Sequence, residues 1–389
     1  MLQHLFKLIW NKKKQNFLLI TEMFFSFLVM FAVFSLMVYQ YINFKKPMGF
    51  SYENVWTVNV TYPQGISSAD SMQQYQQTLR QLIQSMPQVE GVSFASSNVP
   101  FSPNTMNNMT SYKNNQYVAN QYFADANYPK VLGLSLNAGR WFSEADKASK
   151  YPPAMINETL KKKLFGNEDA VGKIIGPGNM RIVGVINDFK DKGDYQKIEG
   201  GYYRLSDTSN VWWLASILVA VKPNTTAAFE AKLYKAVSNY LKTSNLEIEH
   251  LSKKRISKNN VTLVPMIILI IVAGFLIINV ALGLFGVLWY NINKRKAEIG
   301  LRRAVGATGN AVTKQLIGEA LVLSTISLII GAFFAVQFPL LNVFDLQANI
   351  YIAALLMAVA FIYLLVMFCA LYPGKQAAAI YPAVALHEE

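Results

Sequence analysis

The sequence predicts an α+β integral membrane protein. Four transmembrane helices, one near the N-terminus and three near the C-terminus, flank a large extracytoplasmic α+β domain. Three observations predict it. Four apolar runs, at roughly 17–41, 261–290, 312–341 and 350–372, each reach the about 20 residues needed to cross a bilayer. The polar insert between the first and second is large enough to fold by itself. The chain is 52% hydrophobic and 15% charged, too apolar for a soluble protein, and the apolar content is concentrated in those runs.

The elements follow in order. Residues 1–15 place Leu2, Leu5, Phe6, Ile9 and Trp10 on one side of an amphipathic helix lying on the inner membrane face. Residues 16–42 form the first span. Asn43-Phe44-Lys45-Lys46 follows it instead of a small-residue cleavage site, so no cleaved leader is expected. The insert, 43–258, begins with a strand at Asn54–Val60. A helix follows, with Met72, Tyr75, Leu79, Leu82, Ile83 and Met86 on one face, stopped by Pro87, and then a strand at Val89–Ala95. Its end repeats the pattern. A strand at Ala215–Val221 leads to a turn and cap at Pro223–Thr225. A helix carries Phe229, Leu233, Ala236, Val237, Tyr240 and Leu241, and a strand covers Leu246–Leu251. These two strand–helix–strand units, 50–97 and 213–255, predict one subdomain close to the membrane.

Between them, 98–212 reads as a second, β-rich subdomain further out, with strand then helix at Ala154–Phe165 and a strand at Met180–Asn187. The second span, 259–290 with a stalk, would be roughly 45 Å long at about 1.5 Å per residue. That exceeds the hydrocarbon thickness of about 30 Å. Residues 291–311 connect it to the third span, 312–341. The fourth span, 350–372, leads into the tail, 373–389.

Lysine and arginine set the orientation. Lys12, Lys13 and Lys14 precede the first span, Lys294, Arg295, Lys296, Arg302, Arg303 and Lys314 lie between the second and third, and Lys375 follows the fourth. The connection 342–349 has no basic residue. Both termini and the 291–311 segment are therefore expected in the cytoplasm, and the insert outside. Much of the net charge of +13 is either this signal or scattered over the insert among many acids. No basic stretch is interleaved with aromatics as single-strand binders require, so nucleic acid is not an expected partner. Cys369 is the one cysteine and His4, His250 and His387 the histidines, which leaves no disulfide, no zinc-ligand set and no Ser-His-Asp arrangement. No catalytic, cofactor or metal residue is assigned. Gly166–Ile174 imitates a phosphate-binding loop, but its spacing is one residue too long and Ile174 stands where Ser or Thr is needed. It reads as a turn between helix and strand.

The most specific stretch is Asn293–Thr308. It reads as a short amphipathic helix, with Glu298 and Arg302 four apart, Gly300 admitting another surface and Gly306 ending the helix. Ala297-Glu298-Ile299-Gly300-Leu301-Arg302-Arg303-Ala304-Val305-Gly306-Ala307 resembles the segment after the second span of MacB/FtsX-type ABC transporter permeases. So does the tail Pro373–Leu386. The segments 133–142, 154–174 and 181–189 resemble that family's periplasmic core domain. The resemblance implies porter-like (50–97, 213–255) and sabre-like (98–212) subdomains in a bacterial inner-membrane protein. It implies a coupling helix in which Glu298, Ile299, Gly300, Arg302, Arg303, Gly306 and Ala307 dock on a cytoplasmic ABC ATPase. That ATPase, a separate chain, holds the ATP and Mg. The resemblance also implies a dimer with a second permease copy or a homologue, an adaptor and an outer-membrane channel in exporters of the family, and contact with membrane lipid.

The function implied is mechanotransmission, in which ATP hydrolysis drives outer-domain movements that export or extract a peptide, drug or lipoprotein. The alternative is a regulatory protein controlling an external hydrolase or a sensor kinase. Glu22 and Glu319, near the cytoplasmic ends of their spans, are expected to pair with Lys or Arg. Asn279 is expected to hydrogen-bond across a helix interface.

Overall fold

The computed structural model describes residues 13–63, 65–176, 178–242 and 245–379. The expected amphipathic helix at 1–10 and the tail beyond residue 379 lie outside them. Two units separate: Asn43–Thr262, and the spans at 13–42 and 263–379.

The chain enters through α1 (Lys13–Lys45). The outer unit then runs β1 (Val55–Asn59), α2 (Ala69–Gln84), β2 (Val89–Ala95), β3 (Asn107–Tyr112), β4 (Asn115–Ala124), α3 (Tyr128–Leu132), β5 (Leu136–Gly139), β6 (Pro153–Asn157), α4 (Glu158–Phe165), β7 (Ile174–Ile175), β8 (Met180–Ile186), β9 (Gly201–Leu205), β10 (Ser216–Val221), α5 (Ala227–Leu241) and β11 (Glu247–His250). The strands form one sheet in the order β11-β1-β10-β2-β4-β9-β6-β8-β5. The two strand–helix–strand units at the ends of the insert meet where β1 pairs antiparallel with β10, Val58 opposite Ile217.

Period-two alternation sends Trp56, Val58, Ile217, Val219, Val92 and Phe94 to one face, where Leu79 and Ile83 of α2 and Phe229, Leu233 and Val237 of α5 cover them. Each such fully buried side chain contributes about 1.5–3 kcal/mol. The Ser68 hydroxyl caps α2 by accepting from the Ser71 amide at 3.1 Å. In the second half, α4 lays Leu160 and Leu164 over Ile156, Ile182 and Tyr202. Asn157 caps α4 through the Leu160 amide at 3.0 Å. The two halves are therefore one continuous sheet, joined where β2 meets β4 through the single pair Ala95↔Ala124. On the other face Val55, Leu218, Tyr122, Tyr128, Tyr203, Phe189 and Leu251 form a shared cluster. The imitation phosphate loop is the turn between α4 and β7.

The membrane unit continues α1 and adds α6 (Leu251–Lys294), α7 (Lys296–Ala304), α8 (Gly309–Leu340) and α9 (Ala348–Ala378). α1, α6, α8 and α9 are long and apolar enough to cross a membrane. α6 begins at Leu251, directly after β11, so the polar stretch 252–260 is helix continuous with the apolar run. α9 carries on through Pro373 to Ala378, past the expected start of the tail. Small residues let the spans interlock: a Cβ built on Gly331 of α8 would lie 2.3 Å from Phe27 Cδ1 of α1. Coverage is uneven. Only 6% of the apolar window of α6 is buried, against 39% in α1, so most of its apolar surface lacks protein neighbours within this chain.

Candidate functional site

The connection between the second and third spans folds as α7, and its two sides differ. Ile299 is buried with Ile292, Val312, Leu316 and Ala377. Gly300 is buried beside it. The sequence reading has Gly300 admitting a partner; in the structure it is buried within this chain. The opposite side exposes Ala297, Glu298, Leu301, Ala304 and Val305. Leu301 is 54% and Val305 82% exposed. They lie four residues apart and share a face.

A closed ring of polar side chains ties one flank of α7 to the first turns of α8. Arg295 Nε donates to Glu298 Oε2 at 2.9 Å. Glu298 Oε1 meets Arg302 Nη2 at 2.6 Å, the pair expected from the spacing. Arg302 Nη1 donates to Gln315 Oε1 at 2.8 Å, and Gln315 Nε2 to Glu319 Oε1 at 3.2 Å. Arg295 Nη1 returns to both oxygens of Glu319 at 3.1 Å. The hydrogen bond to Glu298, with Glu319 beside it, pushes the Arg295 guanidinium further above its ordinary value and keeps it charged. Arg303 donates to the Ala378 carbonyl at the end of α9.

The end of α7 is equally fixed. Gly306 has φ +103°, open to glycine without strain. Its amide donates to the Arg303 carbonyl at 3.1 Å, and the Ala307 amide to the Arg302 carbonyl at 3.0 Å. That pair of bonds is a Schellman stop. Thr308 then caps α8, accepting from the Ala311 amide at 3.3 Å. Of the residues expected to dock, Glu298 and Gly306 are exposed, Arg302, Arg303 and Ala307 half-buried, and Ile299 and Gly300 buried. Sequence reasoning passed over Leu301, Val305, Arg295 and Gln315. The available signal was two large apolar residues, four apart, on the side opposite Ile299.

The span residues divide. Glu319 finds its expected cation in Arg295. Glu22 lies against Gly283, where a Cβ would come within 2.7 Å of its Oε2, and no cation stands beside it among the described residues. Asn279 donates to the Phe275 carbonyl of its own helix at 2.8 Å, not across an interface.

Two family models match the chain: MacB-like periplasmic core domain over residues 23–236, and FtsX-like permease C-terminal over residues 270–382. The chain is 25% identical over 300 residues to macrolide export ATP-binding/permease protein MacB 2 of Aeromonas hydrophila, covering 70% of this chain and 43% of that protein. It is 26% identical over 314 residues to macrolide export ATP-binding/permease protein MacB of Escherichia coli strain K12, covering 75% of this chain and 45% of that protein. It thus spans less than half the length of these relatives. The solved periplasmic region of MacB from Actinobacillus actinomycetemcomitans aligns with a TM-score of 0.38 at 17% identity, over 53% of this chain and 93% of that one.

Proposed function

The chain belongs to the MacB/FtsX-type permeases of ABC transporters, and from that premise we propose that it is the transmitting subunit of such a transporter. A separate cytoplasmic ATPase, which holds the ATP and Mg, docks on the exposed side of α7. Its nucleotide cycle moves the spans, and the outer domain converts that motion into export or extraction of a peptide, drug or lipoprotein outside the inner membrane. In this reading 43–260 is extracytoplasmic and 294–314 cytoplasmic, an orientation that the distribution of basic residues supports.

One observation carries the proposal: an exposed apolar pair, Leu301 and Val305, at a helix fastened to the next span by a ring of five polar side chains. A helix already ordered loses little entropy on docking, so most of the contact energy appears as affinity. The uncovered surface of α6 supports a second permease copy packing along it.

The test is Leu301→Asp and Val305→Asp in the full chain, co-purified from its host with its ABC ATPase. Loss of a central contact worth about 2 kcal/mol weakens binding roughly 30-fold. Both side chains are exposed, so helical content should not change. Undiminished ATPase recovery with both variants would remove α7 as the docking element.

A further inference from the structure

We propose that the loop 188–196, between β8 and β9, is a clasp that fastens the end of α1 and the beginning of α6 to the outer domain, with Asp194 and Lys190 as its positioning residues. The connection from Ile186 to Gly201 is long and carries no regular structure, a combination that usually marks a working loop.

Its residues reach in both directions. Toward α1, the Lys190 ammonium donates to the Phe44 carbonyl at 3.0 Å, one of the last-turn carbonyls that a helix leaves without an internal partner. The Lys190 amide donates to the Met48 carbonyl at 2.9 Å. Asn43 Nδ2 donates to the Tyr195 carbonyl at 3.2 Å, and the Tyr195 and Phe44 rings stack 5.6 Å apart. Gly49, at φ +80°, lets the chain pass so close that a Cβ would lie 2.6 Å from the Asp188 carbonyl oxygen.

Toward α6, Arg255 grips Asp194 with two bonds, Nε to Oδ1 at 3.0 Å and Nη2 to Oδ2 at 2.8 Å. Asn259 completes the grip reciprocally. Its Nδ2 donates to Asp194 Oδ2 at 2.8 Å, and its Oδ1 accepts from the Asp194 amide at 2.9 Å. Gln196 donates to the Thr262 hydroxyl at 3.1 Å. Gly193 is needed here, since a Cβ would meet Asn259 Oδ1 at 2.9 Å. The loop is anchored in turn to the sheet and its helices. Asp188 accepts from the Thr159 amide and hydroxyl at 3.0 and 2.7 Å at the start of α4, and Tyr122 of β4 donates to Asp191.

Lys190 and Asp194 are 3% and 4% exposed. Charged groups that deep are retained only where partnered: Asp194 is paired with Arg255, so removing the carboxylate strands the guanidinium, and the Lys190 ammonium rests on the Phe44 carbonyl. Burial pushes the Lys190 ammonium down, while Asp194 opposes that shift. The clasp therefore stands or falls as a unit. It makes the two helix ends move with the outer sheet rather than slide past it.

Hydrogen exchange on the full chain in nanodiscs tests this, with Asp194→Ala and, as a milder variant, Asn259→Ala. Amides at 43–48, 188–196 and 255–262 should all exchange at least about tenfold faster, while β10 stays protected and reports an intact fold. Faster exchange confined to 188–196, with both helix ends still protected, would overturn the clasp. A second arm rests on the transmission reading. In complex with its ATPase, Asp194→Ala should keep ATP turnover and lose most outer-domain work. Unchanged work despite loosened helix ends would overturn the positioning role. Failure of even the wild-type chain to bind an ATPase would sink the transporter reading and leave the exchange result to judge the clasp alone.

Discussion

Replacing Arg295 with Met is the sharpest probe of the ring that fastens α7. The Arg295 side chain is 13% exposed and Glu319 18%, whereas Glu298 is 43% exposed. Removing one partner of a well-buried pair costs about 3–5 kcal/mol. Glu319 keeps its bond from Gln315 and some access to solvent, which lowers its share to about 2 kcal/mol. Glu298 keeps Arg302 and adds about 0.2–1 kcal/mol, as exposed pairs do. The sum is about 2–3 kcal/mol of local stability, which converts to roughly 30- to 140-fold faster amide exchange across α7. Hydrogen exchange resolved to residues 296–304 reads this directly. The double variant Arg295→Met with Glu319→Leu should recover part of the loss, because it strands no charge. Exchange within about threefold of wild type, or a double variant worse than the single, would refute the ring as the mount of α7.

Other outcomes follow from separate parts of the molecule. Gly331→Ala drives a methyl into the Phe27 ring and should cost about 1–3 kcal/mol, read as a lower Tm in detergent; Phe27→Leu in the same chain should restore most of it, and an unchanged Tm would show that the spans part freely. Arg140, chiefly through its hydrogen bonds, holds the Asp146 carboxyl below the usual range. The native value lies below the unfolded one, so this contribution is complete above about pH 3.9 and is lost as pH falls below it. Asp146→Asn should flatten the stability profile of the outer domain in that acid window, and an identical slope would refute the linkage. Cysteines at exposed Asn167 and Asn310, in a Cys369→Ser background, should label from opposite sides of the membrane; labelling of both from outside would reverse the topology.

Composition and periodicity made the spans and the paired strand–helix–strand units legible. Length and apolar content decide the first, and alternation decides β1, β2 and β10. The start of α6 was harder. Leu246–Leu251 alternates like a strand, and the polar residues after it carry no apolar stripe, so the stalk was legible only from about 259 and the turns before it show themselves where Arg255 and Asn259 grip Asp194. The same holds for Gly300. Its sequence neighbours suggest a docking face, but Ile299 decides which side of α7 turns inward. The union of the two outer subdomains in one sheet hangs on Ala95↔Ala124, a contact between two alanines that no local pattern distinguishes.

The strand order also dictates a timetable. β10 sits between β1 and β2, so neither can form its main ladder until residues 216–221 exist. β1 has β10 and β11 as partners, and β2 has otherwise only its single pair with β4. About 120 residues separate Ala95 from Ser216, and ribosomes add about 5–20 residues per second. The first half of the outer sheet therefore waits roughly 6–24 seconds with Trp56, Val58 and Phe94 covered by α2 alone, without α5 or the β10 ladder, while the second half is synthesised and folds. A newborn chain in that interval presents a sticky, unpaired ribbon, and a holding chaperone would have its greatest effect there.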